Sequence, residues 1–242
     1  MEALQKARHV IGRPDWDRAC ALKINPQLAY HFCNETLRED FYQGQWQYDT
    51  CRKHRIFASS CAYPVKGFHY LLEAFQEVSK RFPDATLAVP GKNLMQIPAY
   101  RLEGYQKYLK SLILRYGLEE KIDFLGSLSG AQMKQAFLEA NVFALPSTIE
   151  NSPNSLGEAM VLGVPCVAGD VGGVAQLLHN GQEGFVYPST APYMLAYYIE
   201  QVFAMEAEAA AMGAAARSHG LMTHAPEKNL EMLMAIYRSI GR

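Results

Sequence analysis

From residue 56 onward the apolar positions alternate between two rhythms. The short apolar runs "RIFASS", "TLAVPG", "IDFLG", "VFALP", "VPCVAG" and "GFVYP" read as buried strands. Between them the apolar residues recur at helical spacing. In "KGFHYLLEAFQEVSKRF" they place Phe68, Leu71, Leu72, Phe75 and Val78 on one face. "YQKYLKSLILRYGL" predicts a helix ending at Gly117, and "GAQMKQAFLEAN", "PNSLGEAMVLG" and "GGVAQLLHNG" predict three more. Strands and helices in alternation with short connections predict an α/β fold, a doubly wound parallel sheet.

The two ends break this rhythm. Residues 191–242 read as a helical C-terminal tail, "FAMEAEAAAMGAAARSHG" and then "PEKNLEMLMAIYRSI". Residues 1–50 begin with a helix ("MEALQKAR"), a strand ("HVIG") and a second helix ("PDWDRAC"), and continue into the aromatic, polar "AYHFCNETLREDFY". They read as the tail of a preceding domain and a crossing segment, which leaves 51–190 as the repeating α/β unit.

Composition narrows the function classes. With 49% apolar and 19% charged residues the chain can build a core, and disorder is not expected. A net charge of −1 gives no global attraction to nucleic acid or anionic lipid. The five cysteines, Cys20, Cys33, Cys51, Cys61 and Cys166, form no C-x-x-C pair, and the histidines no H-E-x-x-H. No disulfide framework, structural zinc site or metal cofactor is expected. The opening "MEALQKARHV" has no signal core and no apolar run approaches a membrane span, so the expectation is a soluble cytoplasmic protein. "NET" at 34–36 fits the glycosylation pattern, which means nothing without secretion.

In an open α/β sheet, ligands bind beyond the carboxyl ends of the strands. "RIFASS" leads to Lys66, "TLAVP" to Lys92, "IDFLG" to Ser127 and Leu128, "VFALP" to "STIENSPNS" and "VPCVAG" to Gly172 and Gly173. Two lysines, glycine turns and the carboxylates Glu150 and Glu158 thus collect on one rim, a set suited to a phosphorylated, hydroxyl-rich ligand. Each has an ordinary alternative: solvated lysines, a simple turn, acidic residues at a helix N-terminus. Neither G-x-x-x-x-G-K-[ST] nor a G-x-G-x-x-G following a strand is present.

Within "STIENSPNSLGEAM", Ser152 reads as a helix N-cap and Pro153 as the first helical residue. The amides of Asn154, Ser155 and Leu156 then form an anion site with the helix dipole, suited to a diphosphate. Glu150 precedes the helix. Glu158 shares a face with Asn154 and leans back toward the N-terminus. Two carboxylates beside an anion site make chemical sense as acceptors of neutral hydroxyls on either side of a diphosphate.

"KG…LLEAF", "IDFLG", the E-x7-E of Glu150 and Glu158 followed by "AM-x-x-G-x-P", then "GG" and "EGFVYP", resemble the retaining glycosyltransferases of family 4, also called glycosyl transferases group 1. The order and spacing match over roughly residues 56–190. The resemblance implies the C-terminal, Rossmann-like half of the two-domain GT-B architecture, which binds the nucleotide-sugar. It implies that Glu150 holds donor-sugar hydroxyls and Glu158 the ribose hydroxyls. Asn154, Ser155 and Leu156 would offer amides to sugar and diphosphate, Lys66 would neutralise the leaving diphosphate, Ser127 and Leu128 would line the base pocket, and Gly172 and Gly173 would let backbone approach the site. It further implies hexosyl transfer with retention, no metal and no cofactor besides the donor.

Three features depart from the family pattern. The basic partner about five residues ahead of the lysine falls at Cys61, which leaves Arg52, Lys53 and Arg55 as candidates to replace it. E-G-F-G is E-N-S-P here. Most of the N-terminal domain, with the acceptor site, lies outside the chain. The expected partners are therefore a nucleotide-sugar donor, an unidentified acceptor and an N-terminal GT-B domain in cis or trans, or self-association; any peripheral membrane contact would run through that domain. The alternatives are a non-catalytic nucleotide-binding module, a subunit of a split glycosyltransferase, and a GT-B enzyme of another class. Of the last, a phosphorylase would require a pyridoxal-phosphate lysine and a much longer chain.

Overall fold

Alternate residues of the central strands leave for opposite faces of one sheet. In β3 (Arg55–Phe57) Ile56 enters one apolar cluster and Phe57 the other. In β4 (Thr86–Val89) Leu87 and Val89 oppose Ala88; in β6 (Val142–Leu145) Val142 and Ala144 oppose Phe143 and Leu145. This is the period-2 geometry of a strand with no polar face, so continuous apolar runs mark a sheet covered on both sides. Fully burying side chains such as Phe57, Phe143 and Leu87 is worth about 1.5–3 kcal/mol each.

The computed structural model describes residues 2–241. With β5 (Ile122–Phe124), β7 (Cys166–Gly169) and β8 (Gly184–Tyr187), the strands form a parallel sheet in the order β5-β4-β3-β6-β7-β8. This is the expected doubly wound, Rossmann-like sheet. The chain moves outward from β3 to β5, returns to β6 on the other flank of β3, and moves outward again. The loops after β3 and β6 therefore diverge from adjacent carboxyl ends and open a crevice, the topological switch point.

The helices α3 (Phe68–Arg81), α4 (Gly104–Tyr116) and α8 (Pro192–Ala204) cover one face. All five predicted face residues of α3 are buried, and α4 ends at Gly117 in the left-handed conformation, as its sequence predicts. The other face is covered by α5 (Gly130–Glu139), α6 (Asn154–Leu162) and α9 (Ala207–Thr223), together with Phe41, Trp46 and Cys51. The helix α10 (Pro226–Ile240) follows, with Leu230, Met234 and Tyr237 exposed along one stripe.

The N-terminal stretch forms α1 (Glu2–Lys6), β1 (His9–Gly12), α2 (Asp15–Ile24) and β2 (Ala29–Phe32). The two strands pair in parallel as a small separate sheet, a βαβ unit. β2 lies inside "AYHFCNETLREDFY", whose pattern does not predict a strand; its residues are half-buried or exposed, so the sequence carries no apolar run there. The helix expected across "GGVAQLLHNG" shortens to α7 (Val174–Leu177), because the chain turns back at His179 toward β8. No helix among the described residues is long and apolar enough to cross a membrane.

Candidate active site

The switch point brings Lys66 and Glu150 together. Pro64–Lys66 forms a single turn of 3-10 helix, and Gly67 follows at φ 66° as the N-cap of α3. A Cβ on Gly67 would stand 1.7 Å from the Pro146 carbonyl oxygen, so only glycine lets this loop lie against the end of β6. The Thr148 amide donates to the Val65 carbonyl at 2.9 Å and locks the two loops. Lys66 Nζ then reaches Glu150 Oε1 at 2.6 Å, and Ser147 Oγ donates to the same oxygen at 2.7 Å. Glu150 is nearly buried and Lys66 about one-third exposed, so the pair is ordered yet reachable. A carboxylate has room for further hydrogen bonds beyond these two.

The start of α6 differs from its prediction by one residue. Pro153, not Ser152, is the N-cap; it offers no side-chain cap, and Ser152 is buried. Leu156 leaves the expected ligand-facing set, because its amide donates to the Pro153 carbonyl at 3.0 Å and its side chain is fully buried. The amides of Asn154 and Ser155 remain as helix-start donors without intrahelical acceptors. Asn154 is exposed and Ser155 half-buried.

Glu158 is buried on the expected face of α6, and both its oxygens accept from Arg38: Nε at 2.7 Å to Oε1 and NH2 at 2.8 Å to Oε2. The hydrogen bonds to Glu158 hold the Arg38 guanidinium more firmly protonated than usual, against burial. The same guanidinium lies 4.6 Å from the Phe41 ring centroid. Arg13 NH1 donates to Asn154 Oδ1 at 2.9 Å and pairs with Glu35 at 2.9 Å. A cleft of about 500 Å³ is lined by Glu35, Thr36, Leu37, Arg38, Asn154 and Glu158.

Arg13 and Arg38 were not among the sequence candidates. Arg13 directly follows β1, and the strand-end rule applied to that strand finds it. Arg38 lies where no periodicity guides the eye. The three cations proposed to replace a basic residue at Cys61 are placed elsewhere. Arg55 is buried against Asp123 at 2.6 Å, Arg52 pairs with Glu139 at 3.1 Å, and Lys53 bonds the Tyr48 carbonyl. All three precede β3 or open it, so they belong to the amino edge of the sheet, opposite the switch point.

Lys92, Ser127 and Leu128 meet in a second cleft of about 520 Å³, which also receives Ser59, Ser60 and Cys61 from the loop that carries Lys66. Gly91 and Gly126 bind each other's backbone in both directions, at 2.8 and 3.0 Å, and so join the ends of β4 and β5 beneath it. Burial pushes the Cys61 thiol up to about 11, so it is neutral at physiological pH and no nucleophile.

Gly172 and Gly173 permit a close backbone approach, and the partner is the Glu150 loop. Gly172 has φ 53°, and a Cβ there would stand 1.6 Å from the Glu150 carbonyl oxygen. The Gly173 amide donates to the Asn151 carbonyl at 2.9 Å. The turn after β7 thus fixes the position of Glu150 from behind.

The family model described as "Glycosyl transferases group 1" matches residues 52–219. An uncharacterized glycosyltransferase of Methanocaldococcus jannaschii is 30% identical over 138 residues, 57% of this chain and 32% of that protein. A GDP-mannose-dependent alpha-(1-6)-phosphatidylinositol monomannoside mannosyltransferase of Mycolicibacterium smegmatis is 28% identical over 165 residues, 65% of this chain and 41% of that protein. The matches thus span about a third and about two-fifths of these relatives' lengths. Among solved structures, sucrose-phosphate synthase from Thermosynechococcus elongatus superposes with a TM-score of 0.83 at 20% identity, over 99% of this chain and 60% of that one. HepE of Anabaena in complex with UDP gives 0.79 at 21% identity, over 97% and 64%. These likenesses show a fold shared with GT-B glycosyltransferases.

Proposed function

The chain belongs to the glycosyl transferases group 1 family, and from that premise we propose that it is the donor-binding part of a retaining hexosyltransferase. The substrate is a nucleotide-diphosphate sugar, and the acceptor is a glycan, a lipid or a small molecule. The observation that carries this reading is the convergence of Lys66, Glu150 and the amino end of α6 at the switch point.

The roles follow from charge and position. Glu150, held by Lys66 and Ser147, accepts hydroxyls of the donor sugar. Lys66 and the amides of Asn154 and Ser155 meet the diphosphate, where negative charge grows as the sugar leaves. Glu158 accepts ribose hydroxyls with its lone pairs not used by Arg38. Lys92, Ser127 and Leu128 line the cleft for the base. In a same-face reaction the bond from the anomeric carbon to the diphosphate oxygen breaks as the acceptor oxygen bonds the same carbon. The departing phosphate oxygen takes the acceptor's proton. No protein nucleophile and no metal at the diphosphate is required, only stabilisation of the leaving group. With Cys61 neutral, Arg13 and Arg38 are the cations placed to add to Lys66. An acceptor half in cis or in trans completes the reaction.

Calorimetric titration with UDP, GDP and ADP tests this. At least one is expected to bind without added metal and to keep binding in EDTA. Glu150→Ala is expected to spare the free nucleotide while weakening the intact sugar donor by roughly 10–150-fold, the cost of a lost charged hydrogen bond. If none of the three nucleotides binds, the reading fails.

A further inference from the structure

Outside the donor site, three side chains converge between the turn ahead of β8 and helix α9. His179 Nδ1 lies 3.0 Å from Glu183 Oε1, and His219 Nδ1 lies 3.0 Å from Glu183 Oε2. The three ligand atoms all fall within 4.8 Å of one another. The imidazole rings stack with their centroids 5.0 Å apart and their planes 3° from parallel. Glu183 is buried at 7% exposure, whereas His179 is exposed and gives access from solvent. We propose that His179, Glu183 and His219, none of which has a role in the proposed donor site, form a binding site for a divalent late transition cation, Zn²⁺ foremost.

The local chain builds the turn. The amides of Gln182 and Glu183 donate to the His179 carbonyl at 3.2 and 3.1 Å, and Gly181 bonds Gly184 at 2.8 Å. This folds His179 back over Glu183, and the His179 amide donates to Glu183 Oε2 at 2.9 Å. α9 then brings His219 to the other oxygen from 36 residues farther along the chain. The spacing H-x3-E followed by so distant a histidine matches no short metal motif, which is why the sequence does not show it.

The chemistry favours a soft-to-borderline cation. Glu183 accepts from the His179 amide and faces both imidazoles, so its carboxylate is the centre of the cluster. Without metal, each ring bonds this one carboxylate through a proton on Nδ1. One divalent cation takes the place of both protons, accepting the two Nδ1 lone pairs and the carboxylate charge together. Each Nδ1 stands 3.0 Å from its own carboxylate oxygen, a separation that two ligands of one ion can hold at bonds of about 2.0–2.1 Å. Two imidazoles and a carboxylate, with a position left for water, suit Zn²⁺, whereas Mg²⁺ seeks oxygen ligands. The ion would pin α9 to the turn ahead of β8 and so act as a cross-link in the folded chain.

The test is equilibrium dialysis of the metal-stripped chain against Zn²⁺ or Mg²⁺, followed by elemental analysis, with thermal melting in parallel. One equivalent of Zn²⁺ and no Mg²⁺ is expected, and the melting temperature is expected to rise by about 5 °C or more at a hundredfold excess over Kd. His179→Ala changes an exposed side chain and preserves the fold; it and Glu183→Gln are each expected to weaken Zn²⁺ at least about tenfold. Co²⁺ is expected to give ligand-field bands without a thiolate charge-transfer band. No stoichiometric Zn²⁺, binding unchanged in His179→Ala, or a thiolate band that assigns the metal to a cysteine would each overturn the proposal. Since nucleotide binding is read separately, this test stands or falls independently of the donor site.

Discussion

The Arg38 guanidinium grips both oxygens of Glu158, at 2.7 and 2.8 Å, across 120 residues of sequence. The carboxylate is buried and its partner half-exposed. The contact joins the irregular segment before β3 to the helix whose amino end faces the switch point. A buried carboxylate is costly without a compensating charge, and Arg38 supplies that charge to Glu158 on the inner face of α6. Two-point contact also fixes the plane of the carboxylate.

Arg38→Ala is expected to weaken nucleoside diphosphate binding by about tenfold, since Glu158 loses its orientation and the site a cation. Calorimetry on the variant decides the matter. If binding tightens instead, Arg38 is a plug over the ribose acceptor, and the positioning role assigned to it is wrong.

Gly172→Ala probes the support behind Glu150. The residue sits at φ 53°, and its new Cβ would collide with the Glu150 carbonyl. A loss of roughly 1–3 kcal/mol in stability is expected from the strained backbone alone, with a further loss of donor affinity because the Glu150 loop must shift. Gly117→Ala is the control: its φ is 64°, but nothing lies within 4 Å of the added carbon. It carries the conformational cost without the clash, so its donor affinity should match the wild type. Equal effects of the two variants on donor binding would show that the Gly172 turn does not position Glu150.

Much of this site was legible because strands buried on both faces write themselves as apolar runs. Once β3 through β8 are placed, the strand-end rule finds Lys66, Lys92, Ser127 and Glu150 without further help. The rule is silent where a strand carries no apolar run. β2 is half-exposed, so "AYHF" carries no strand signal, and Arg38 follows in a segment with no period. Arg13 follows β1, within residues 1–50, which read as the tail of a preceding domain and a crossing segment. The shift of the α6 cap from Ser152 to Pro153 is a subtler miss. Both residues are favoured near helix starts, and only the backbone decides which is the cap.

Stability should fall as the solution is acidified, and His224 should account for part of the fall. The ring is buried at 1% exposure; it bonds the Glu35 carbonyl through Nδ1 at 2.8 Å, while Nε2 has no partner among the described residues. Burial lowers its pKa, the Glu35 carbonyl works in the opposite direction, and the charge of Arg13 lowers it further. A histidine with a depressed folded-state pKa resists protonation in the fold. Its contribution is complete above the unfolded value of about 6.5 and is lost as pH falls from there toward the folded value. His69, lowered by burial, acts with the same sign. Melting temperatures between about pH 7.5 and 5.5 should decline, and His224→Asn should show a flatter decline from a lower starting point. Parallel curves for the two proteins would remove His224 from the account.

The chain alone is expected to bind the donor yet transfer little sugar. Transfer requires donor and acceptor to be held together with water shut out, and in the proposed architecture a second domain does both. The matched relatives are more than twice as long as the part this chain spans. The structure also shows apolar side chains that the described residues leave uncovered: Leu230, Met234 and Tyr237 recur on one stripe of α10, and Ile11 and Phe32 sit in the two-stranded sheet. A stripe at that spacing is the pattern of a helix that packs on a partner. Labelled nucleotide-sugars with a broad acceptor mixture provide the assay, run on this chain and on a longer one that restores an amino-terminal half. The longer chain should turn over at least about a hundredfold faster, in line with the effective-molarity gain of holding two reactants in place, while both bind nucleotide alike. Equal turnover would mean that the chain assembles its own acceptor site, and a twofold rise in mass on sedimentation would then place that site between two copies.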